Sequence, residues 1–326
     1  PSPQTLARFY AEVEYNRRVP ASGRKRILRD GTLHLQGAPC MVLLDLGTVT
    51  LAQQLKEKRF AVSEALALAV QLVRALEEIH EHGLIHKDVN PDNIVVNPPL
   101  GELAIVDFGI ATELACEVVE RRAYHIVGSL PYISPEQTGR MNRLVDQRTD
   151  LYSVGATLYE LFTGQRPFSS EDHLGLVYMH LAQEAQAPHV IDPTIPAVIS
   201  AIIMRLLAKA PEERYQSASG LAWDLTQAQA QVRTGQPPSS FTLGDKDAAV
   251  RLELPHRLYG RDEELTALRR AFYGAAAGKP ALALVSGYSG IGKSSVVHAL
   301  EETIAEARSL FLEGKFDQYQ RDTPYA

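Results

Sequence analysis

Two short apolar runs around a proline turn constrain this chain more than anything else in it. Ile94-Val95-Val96 and Ala104-Ile105-Val106 flank Asn97-Pro98-Pro99-Leu100-Gly101. β-Branched residues on either side of a Pro/Gly turn predict an antiparallel hairpin. Asn93 stands just before the first strand, and Asp107 stands just after the second, fourteen positions beyond Asn93. A hairpin brings its open ends together, so both side chains are expected at one site. An amide oxygen and a carboxylate are hard ligands that suit magnesium.

Upstream lies His86-Lys87-Asp88-Val89-Asn90-Pro91-Asp92-Asn93, and downstream Asp107-Phe108-Gly109. Asp88 is five positions before Asn93. A carboxylate beside a metal site can accept or orient the proton of a hydroxyl group. Gly109 permits the backbone turn that such a site needs.

The 326 residues suffice for about two domains of roughly 150 residues each. The composition, 45% hydrophobic and 22% charged, is that of an ordinary globular protein. A net charge of −6 argues against a broad nucleic-acid surface. Cys40 and Cys116 are far apart, with no disulfide framework or zinc spacing, which fits a reducing, cytoplasmic compartment. No apolar run approaches the roughly 18 residues of a membrane span, and no signal peptide is visible. Pro1 is not an initiator methionine, so the chain reads as an excerpt of something longer.

The periodicities predict a helix over Ala7 to Arg18 and strands over Arg29 to Leu35 and Cys40 to Leu44. A further helix follows, with Ser63 as its N-cap and Gly83 as its stop. Its apolar face is Leu66, Val70, Val73, Leu76 and Ile79. Helices are also expected over Thr149 to Phe162, Asp172 to Gln183, Val198 to Lys209 and Ala218 to Val232. Arg233 to Leu254, with Pro237-Pro238-Ser239-Ser240, reads as a linker.

In these strings the chain from about Ala7 to Val232 resembles a eukaryotic-like serine/threonine protein kinase, chiefly its C-terminal lobe. The resemblance implies an α+β kinase fold, with a mainly helical C-lobe and an incomplete N-lobe. It also implies ATP and Mg2+ as cofactors and a protein substrate. Asp88 would be the catalytic base, and Asn93 and Asp107 the metal ligands. Glu12 matches the helix Glu that pairs with an N-lobe strand Lys. Asp45 to Gly47 would be the hinge that holds adenine. Gly128-Ser129-Leu130-Pro131-Tyr132-Ile133-Ser134-Pro135-Glu136 matches the end of the activation loop. Asp150 matches the buried helix Asp behind the catalytic loop, and Arg214 the partner of Glu136. His86 is expected to pack and hydrogen-bond.

Two positions depart from the pattern, and two of its parts lie upstream. Lys87 replaces the usual Arg, and a cation there can neutralise Asp88 or respond to a loop phosphate; Thr112, Ser129 and Tyr132 are hydroxyls in that region. Asn90 stands where these kinases place a Lys that meets the γ-phosphate. Asn keeps a donor and loses the charge, at a cost of about 2–4 kcal/mol by analogy with an oxyanion donor. In the family the glycine-rich lid and the strand Lys lie upstream of the region matched by Pro1 to Arg8. The segment by itself is therefore expected to bind ATP poorly.

A second nucleotide motif follows. Gly287-Tyr288-Ser289-Gly290-Ile291-Gly292-Lys293-Ser294 fits a phosphate-binding loop, with an expected strand over Ala281 to Val285 before it and a helix after it. Amides of Gly290, Gly292 and Lys293 would cradle phosphates, and Ser294 would ligate magnesium. With Tyr259-Gly260-Arg261-Asp262-Glu263-Glu264-Leu265, this resembles the start of an AAA-type, α/β P-loop ATPase. The expected layout is kinase 1–232, linker 233–255 and ATPase 256–326. That order resembles large bacterial sensor proteins that continue into GAF and histidine-kinase domains, so further signalling domains of the same polypeptide are expected partners. The expected function is serine/threonine kinase activity. The alternatives are a pseudokinase module that regulates the ATPase, and an ATPase that is the only enzyme.

Overall fold

The computed structural model describes residues 3–19, 33–35, 38–41, 49–97, 102–113, 128–140, 143, 145–234, 242–247, 261–287, 293–300, 303, 304, 307 and 309. The chain divides into two compact units, Pro1–Gly139 with Arg143–Leu252, and Arg140–Asn142 with Glu253–Ala326.

The first unit begins with α1 (Pro3–Arg18), which starts four residues ahead of the expected helix. Its Val13 is buried, and Arg18 in its last turn pairs with Glu113. Strands β1 (Leu33–Leu35) and β2 (Ala38–Cys40) are antiparallel, with Leu33 opposite Cys40. The outer parts of the expected strands, 29–32 and 42–44, lie outside the described residues.

β3 (Val49–Thr50) runs directly into α2 (Leu51–Glu57) through a reciprocal cap. Thr50 Oγ1 accepts from the Gln53 N–H at 3.3 Å, and Gln53 Oε1 accepts from the Thr50 N–H at 2.9 Å. Next comes α3 (Val62–Glu81), whose face of Leu66, Val70, Val73, Leu76 and Ile79 is buried as its spacing requires. Ser63 is not its cap. The cap residue is Ala61, whose N–H donates to Glu64 Oε2 at 3.2 Å, and Ser63 lies inside the first turn. Gly83, with φ 71°, turns the chain out of the helix.

β4 (Leu84–Ile85) leads into the His86 string. β5 (Ile94–Asn97) and β6 (Glu102–Ile105) form the expected hairpin, in the register Ile94↔Ile105 to Asn97↔Glu102. β3 adds to its other edge, giving the order β3-β5-β6. β7 (Thr112–Glu113) pairs with β4.

α4 (Gln147–Thr163) is buried along nearly its whole length, so it forms the axis of the helical lobe. Asp146 caps it by accepting from the Arg148 N–H at 2.8 Å. α5 (His173–Ala182), α6 (Pro188–Ile191), α7 (Ala197–Leu206) and α8 (Ala218–Arg233) follow. A Cβ on Gly155 would lie 2.6 Å from that of Leu206, so only glycine lets α7 approach α4 this closely. Leu151, Leu158, Ile203, Leu221 and Leu225 share one core with α3, each contributing about 2 kcal/mol by burial. α7 ends at Leu206, short of the expected Lys209. The carbonyls of Ala208 and Lys209 beyond it accept from the Arg214 guanidinium.

The composition of 233–255 reads as linker, yet its described part is docked. The side chain of Asp247 is 2% exposed. Its carboxylate accepts from the N–H groups of Gln216 at 2.8 Å and Ser217 at 3.0 Å, and from the Ser217 hydroxyl at 2.9 Å. The Gly244 N–H donates to Asp224 at 2.8 Å, and Arg205 donates to the Leu243 carbonyl at 2.8 Å. Residues 243–247 therefore close over the N-terminal end of α8.

In the second unit, α9 (Asp262–Ala276) and α10 (Lys293–His298) are helical. The strand expected over Ala281 to Val285 is not formed. This stretch pairs with no strand among the described residues, and Leu282 and Leu284 are both 88% exposed. An apolar strand of a parallel sheet is held by its neighbours, and local sequence alone does not make one. No helix of the described residues is long and apolar enough to cross a membrane.

Candidate active site

The site is organised from behind by Asp150, the wholly buried carboxylate in the first turn of α4. Its Oδ1 accepts from the Lys87 N–H at 2.7 Å. Its Oδ2 accepts from the His86 N–H at 2.8 Å and from His80 Nε2 at 2.9 Å. Burial alone would raise the pKa of this group. The hydrogen bond and charge of His80, with help from His86, outweigh burial and hold it below the ordinary value. An ionised, triply bonded carboxylate thus anchors the loop 86–93 to the core.

His86 is also fully buried. Its Nε2–H donates to the Val106 carbonyl at 3.2 Å, and its Nδ1 accepts from the Asp88 N–H at 3.3 Å. Its ring meets that of Phe108 edge-on, with centroids 5.0 Å apart. Burial keeps the imidazole pKa low, so the ring stays neutral and serves as a spacer between the loop and the hairpin.

Lys87 has φ 68°, one of two non-glycine residues with positive φ among the described residues. The other is Asp107, also at 68°. Such backbone costs of order 1–3 kcal/mol and persists only where neighbours over-determine it.

Asp88 follows. Its Oδ1 accepts from the Ser129 N–H at 2.8 Å, and its Oδ2 from Asn93 Nδ2 at 2.9 Å. Asn93 Nδ2 also donates to the Asp88 carbonyl at 2.9 Å. With the Asn93 amide nitrogen bound to Asp88, its oxygen is the atom suited to ligation. The Val106 N–H donates to the Asn93 carbonyl at 2.9 Å, so the hairpin sets Asn93 at the same end as Asp107. Asp107 is exposed, and its Oδ1 accepts from the Gly109 N–H at 3.0 Å. A Cβ on Gly109 would crowd that same oxygen at 3.0 Å.

Asn90 is 2% exposed, and its amide is fully used. Nδ2 donates to the Asp88 carbonyl at 3.0 Å and to Ser129 Oγ at 3.1 Å. Oδ1 accepts from the N–H groups of Asp92 at 2.9 Å and Asn93 at 3.3 Å, capping the 3-10 turn Pro91–Asn93. The donor expected to face a phosphate is spent on the loop itself and on Ser129.

Glu12 on α1 is half-buried, and its pKa is raised, first by burial and then by the charge of Asp107. Two carboxyl groups that repel each other make a site that favours cations. The oxygen donors of Asn93 and Asp107 fit magnesium, which is held by one or two carboxylates plus substrate phosphates. Among the described residues no cluster of three or more His, Cys, Asp or Glu forms a separate metal site.

The far wall is the segment Gly128 to Thr138. Glu136 and Arg214 form a buried bidentate pair at 2.7 and 2.9 Å, and Thr149 Oγ1 donates to Glu136 at 2.8 Å. Burial opposes the Glu136 charge, but Arg214 outweighs it and holds the carboxyl below the ordinary range. The Tyr132 hydroxyl donates to Glu160 at 2.5 Å, and burial raises its pKa, so it is a packing group. Thr112 is part of β7.

In the second unit, Lys293 Nζ donates to the Gly287 carbonyl at 2.9 Å. Ser294 is in the first turn of α10. Asp45, Gly47, Gly290 and Gly292 lie outside the described residues.

Several working groups went unseen in sequence. His80 is one face residue among many in a helix. Gln137, immediately after Glu136, donates to the Lys87 carbonyl at 2.8 Å. The Ser129 main-chain N–H carries no sequence signal at all.

Residues 11–225 match the family model described as "Protein kinase domain", and residues 257–326 match "AAA ATPase domain". Among similar proteins is the hybrid signal transduction histidine kinase G of Dictyostelium discoideum. It is 28% identical over 81% of this chain and 10% of its own length. A probable serine/threonine-protein kinase of Streptomyces coelicolor is 33% identical over 71% of this chain and 33% of its own. The serine/threonine-protein kinase PknB of Mycobacterium leprae is 33% identical over 58% of this chain and 29% of its own. The chain thus spans a third or less of the length of these relatives.

Proposed function

Because this chain belongs to the protein kinase family, we propose that it carries the catalytic lobe of a serine/threonine kinase, which transfers the γ-phosphoryl group of ATP to a protein hydroxyl. The observation that supports this most is the double hold on Asp88. The Ser129 N–H and Asn93 Nδ2 each take one of its oxygens, at 2.8 and 2.9 Å, beside the hairpin end that carries Asp107. A carboxylate fixed next to a cation-seeking oxygen pair is what in-line transfer requires of a protein.

In this reading Asp88 orients the substrate hydroxyl and takes its proton as the oxygen attacks the γ-phosphorus. The Asn93 amide oxygen and the Asp107 carboxylate would hold magnesium, which would supply the positive charge that balances the phosphates. By the family resemblance Glu12 would pair with an N-lobe strand lysine, and such a cation would relieve its repulsion with Asp107. Asp150 and His86 keep the loop in shape and exclude water behind it. The polypeptide also carries a P-loop ATPase, in which Lys293 and Ser294 would meet phosphates and magnesium, with the amides of Gly290 and Gly292 beside them. Asp45 and Gly47 are proposed for adenine. The kinase, linker and ATPase would occupy 1–232, 233–255 and 256–326, in a cytoplasmic signalling protein.

The test is Asp107→Ala in the full-length protein. Phosphotransfer and Mg-dependent nucleotide binding at the kinase site should both disappear. Unchanged transfer would exclude the assignment.

One observation favours a second reading, in which the lobe is a regulatory module for the ATPase. Asn90 carries no charge, and both its N–H groups are used internally. With a complete N-lobe, absence of transfer by both wild type and Asn90→Lys, together with ATP turnover lost in Lys293→Ala, would favour the module.

A further inference from the structure

We infer that Gln137 is a positioning residue for phosphotransfer, acting on Asp88 through the peptide of Lys87. This rests on the reading of Asp88 as the residue that receives the hydroxyl proton.

Lys87 holds a left-handed backbone that a lysine does not choose freely. Something must hold both ends of that residue. Its N–H is taken by Asp150 Oδ1 at 2.7 Å. Its carbonyl is taken by Gln137 Nε2 at 2.8 Å. Gln137 is itself buried and oriented. Its Oε1 accepts from the Ser134 N–H at 3.2 Å and from Ser134 Oγ at 3.1 Å, which turns the Nε2 end toward Lys87.

Gly128 presses on the same carbonyl from the start of the segment. With φ 111°, it brings its backbone so close that a Cβ would lie 3.0 Å from the Lys87 oxygen and 3.4 Å from Gln137 Nε2. The carbonyl is thus confined between Gly128 and Gln137. The next residue is Asp88, and its own Oδ1 accepts from the Ser129 N–H. A turn of the Lys87–Asp88 peptide would swing the Asp88 carboxylate away from Ser129 and Asn93. Asp150 anchors the preceding His86–Lys87 peptide to the core, and Gln137 anchors the Lys87–Asp88 peptide to the activation segment. The order of Ser134–Thr138 is therefore transmitted to the base by one side-chain amide.

The experiment uses the full-length protein with Gln137→Met, which keeps the length and removes the hydrogen bonds, and Gln137→Glu, which keeps the acceptor for Ser134 and removes the donor. Both should lower kcat at least about tenfold with the KM for ATP within about twofold, because the metal ligands are untouched and only the base is displaced. Amide hydrogen exchange at Asp88 and Ser129 should accelerate, while the Leu151 to Leu158 core of α4 stays protected. The exchange measurement does not depend on activity. A wild type without phosphotransfer would overturn the kinase reading, and exchange would still decide this one. Wild-type kcat in both variants, or unchanged exchange at Asp88 and Ser129, would overturn it. If one variant fails to fold, the other decides.

Discussion

The side chain of Asn90 donates to Ser129 Oγ at 3.1 Å, joining the loop 86–93 to the segment Gly128 to Thr138 by a neutral hydrogen bond. The same amide caps the turn that presents Asn93. Asn90 therefore serves the architecture of the site, and the missing cation is only half of its meaning.

Replacing Asn90 tests this. Asn90→Ala removes all four of its hydrogen bonds and leaves the Asp92 and Asn93 N–H groups without their cap. A cost of about 1–2 kcal/mol in stability is expected, with a fall in kcat because Asn93 and Ser129 both lose their support. Urea unfolding and steady-state kinetics measure the two effects. Unchanged stability would show that the cap is not made.

The buried Glu136–Arg214 pair predicts both a mutational and a pH effect. Arg214→Ala leaves Glu136 charged and unpaired in the core, and should cost about 3–5 kcal/mol. The folded-state pKa of Glu136 lies below its ordinary 4.5, and that of Asp150 below its ordinary 3.8. Groups depressed in this way contribute stability that is complete above those ordinary values and is lost as pH falls through the folded ones. Stability of the first unit should be flat from pH 7 to about 5 with respect to these groups, and decline below. Arg214→Ala should remove the Glu136 share of that decline, as read from chemical denaturation at each pH.

Asp247 lies beyond the residues that match the kinase family model, yet it caps the start of α8 through Gln216 and Ser217. Asp247→Ala leaves those two N–H groups without their acceptor and should destabilise the first unit by about 1–3 kcal/mol. Limited proteolysis should then cut between 234 and 247 faster than in the wild type. Equal rates would show that this docking does not hold in solution.

Much of this is legible in the sequence. The hairpin that joins Asn93 and Asp107 follows from two β-branched runs and a proline turn. α3 follows from a strict apolar face, and α4 from a helical apolar pattern over Thr149 to Phe162 with Gly164 after it. Other features depend on partners distant in sequence. Three of the four bonds of Asn90 are local to its own loop, and the fourth exists only once Ser129 has folded beside it. Gln137 matters because Lys87 lies across from it, fifty positions earlier. Asp247 sits in a stretch of linker composition, and only the open N-terminus of α8 gives it a role. The stretch Ala281 to Val285 has strand propensity, but no described neighbour supplies the hydrogen bonds that would make it one.

If Asp88 takes the proton of a protein hydroxyl during phosphoryl transfer, Asp88→Asn removes the base while keeping the shape of the side chain. In the full-length protein, kcat for transfer from MgATP should fall at least about 100-fold, with nucleotide affinity within about twofold of wild type. Turnover equal to wild type in Asp88→Asn would rule out Asp88 as the base.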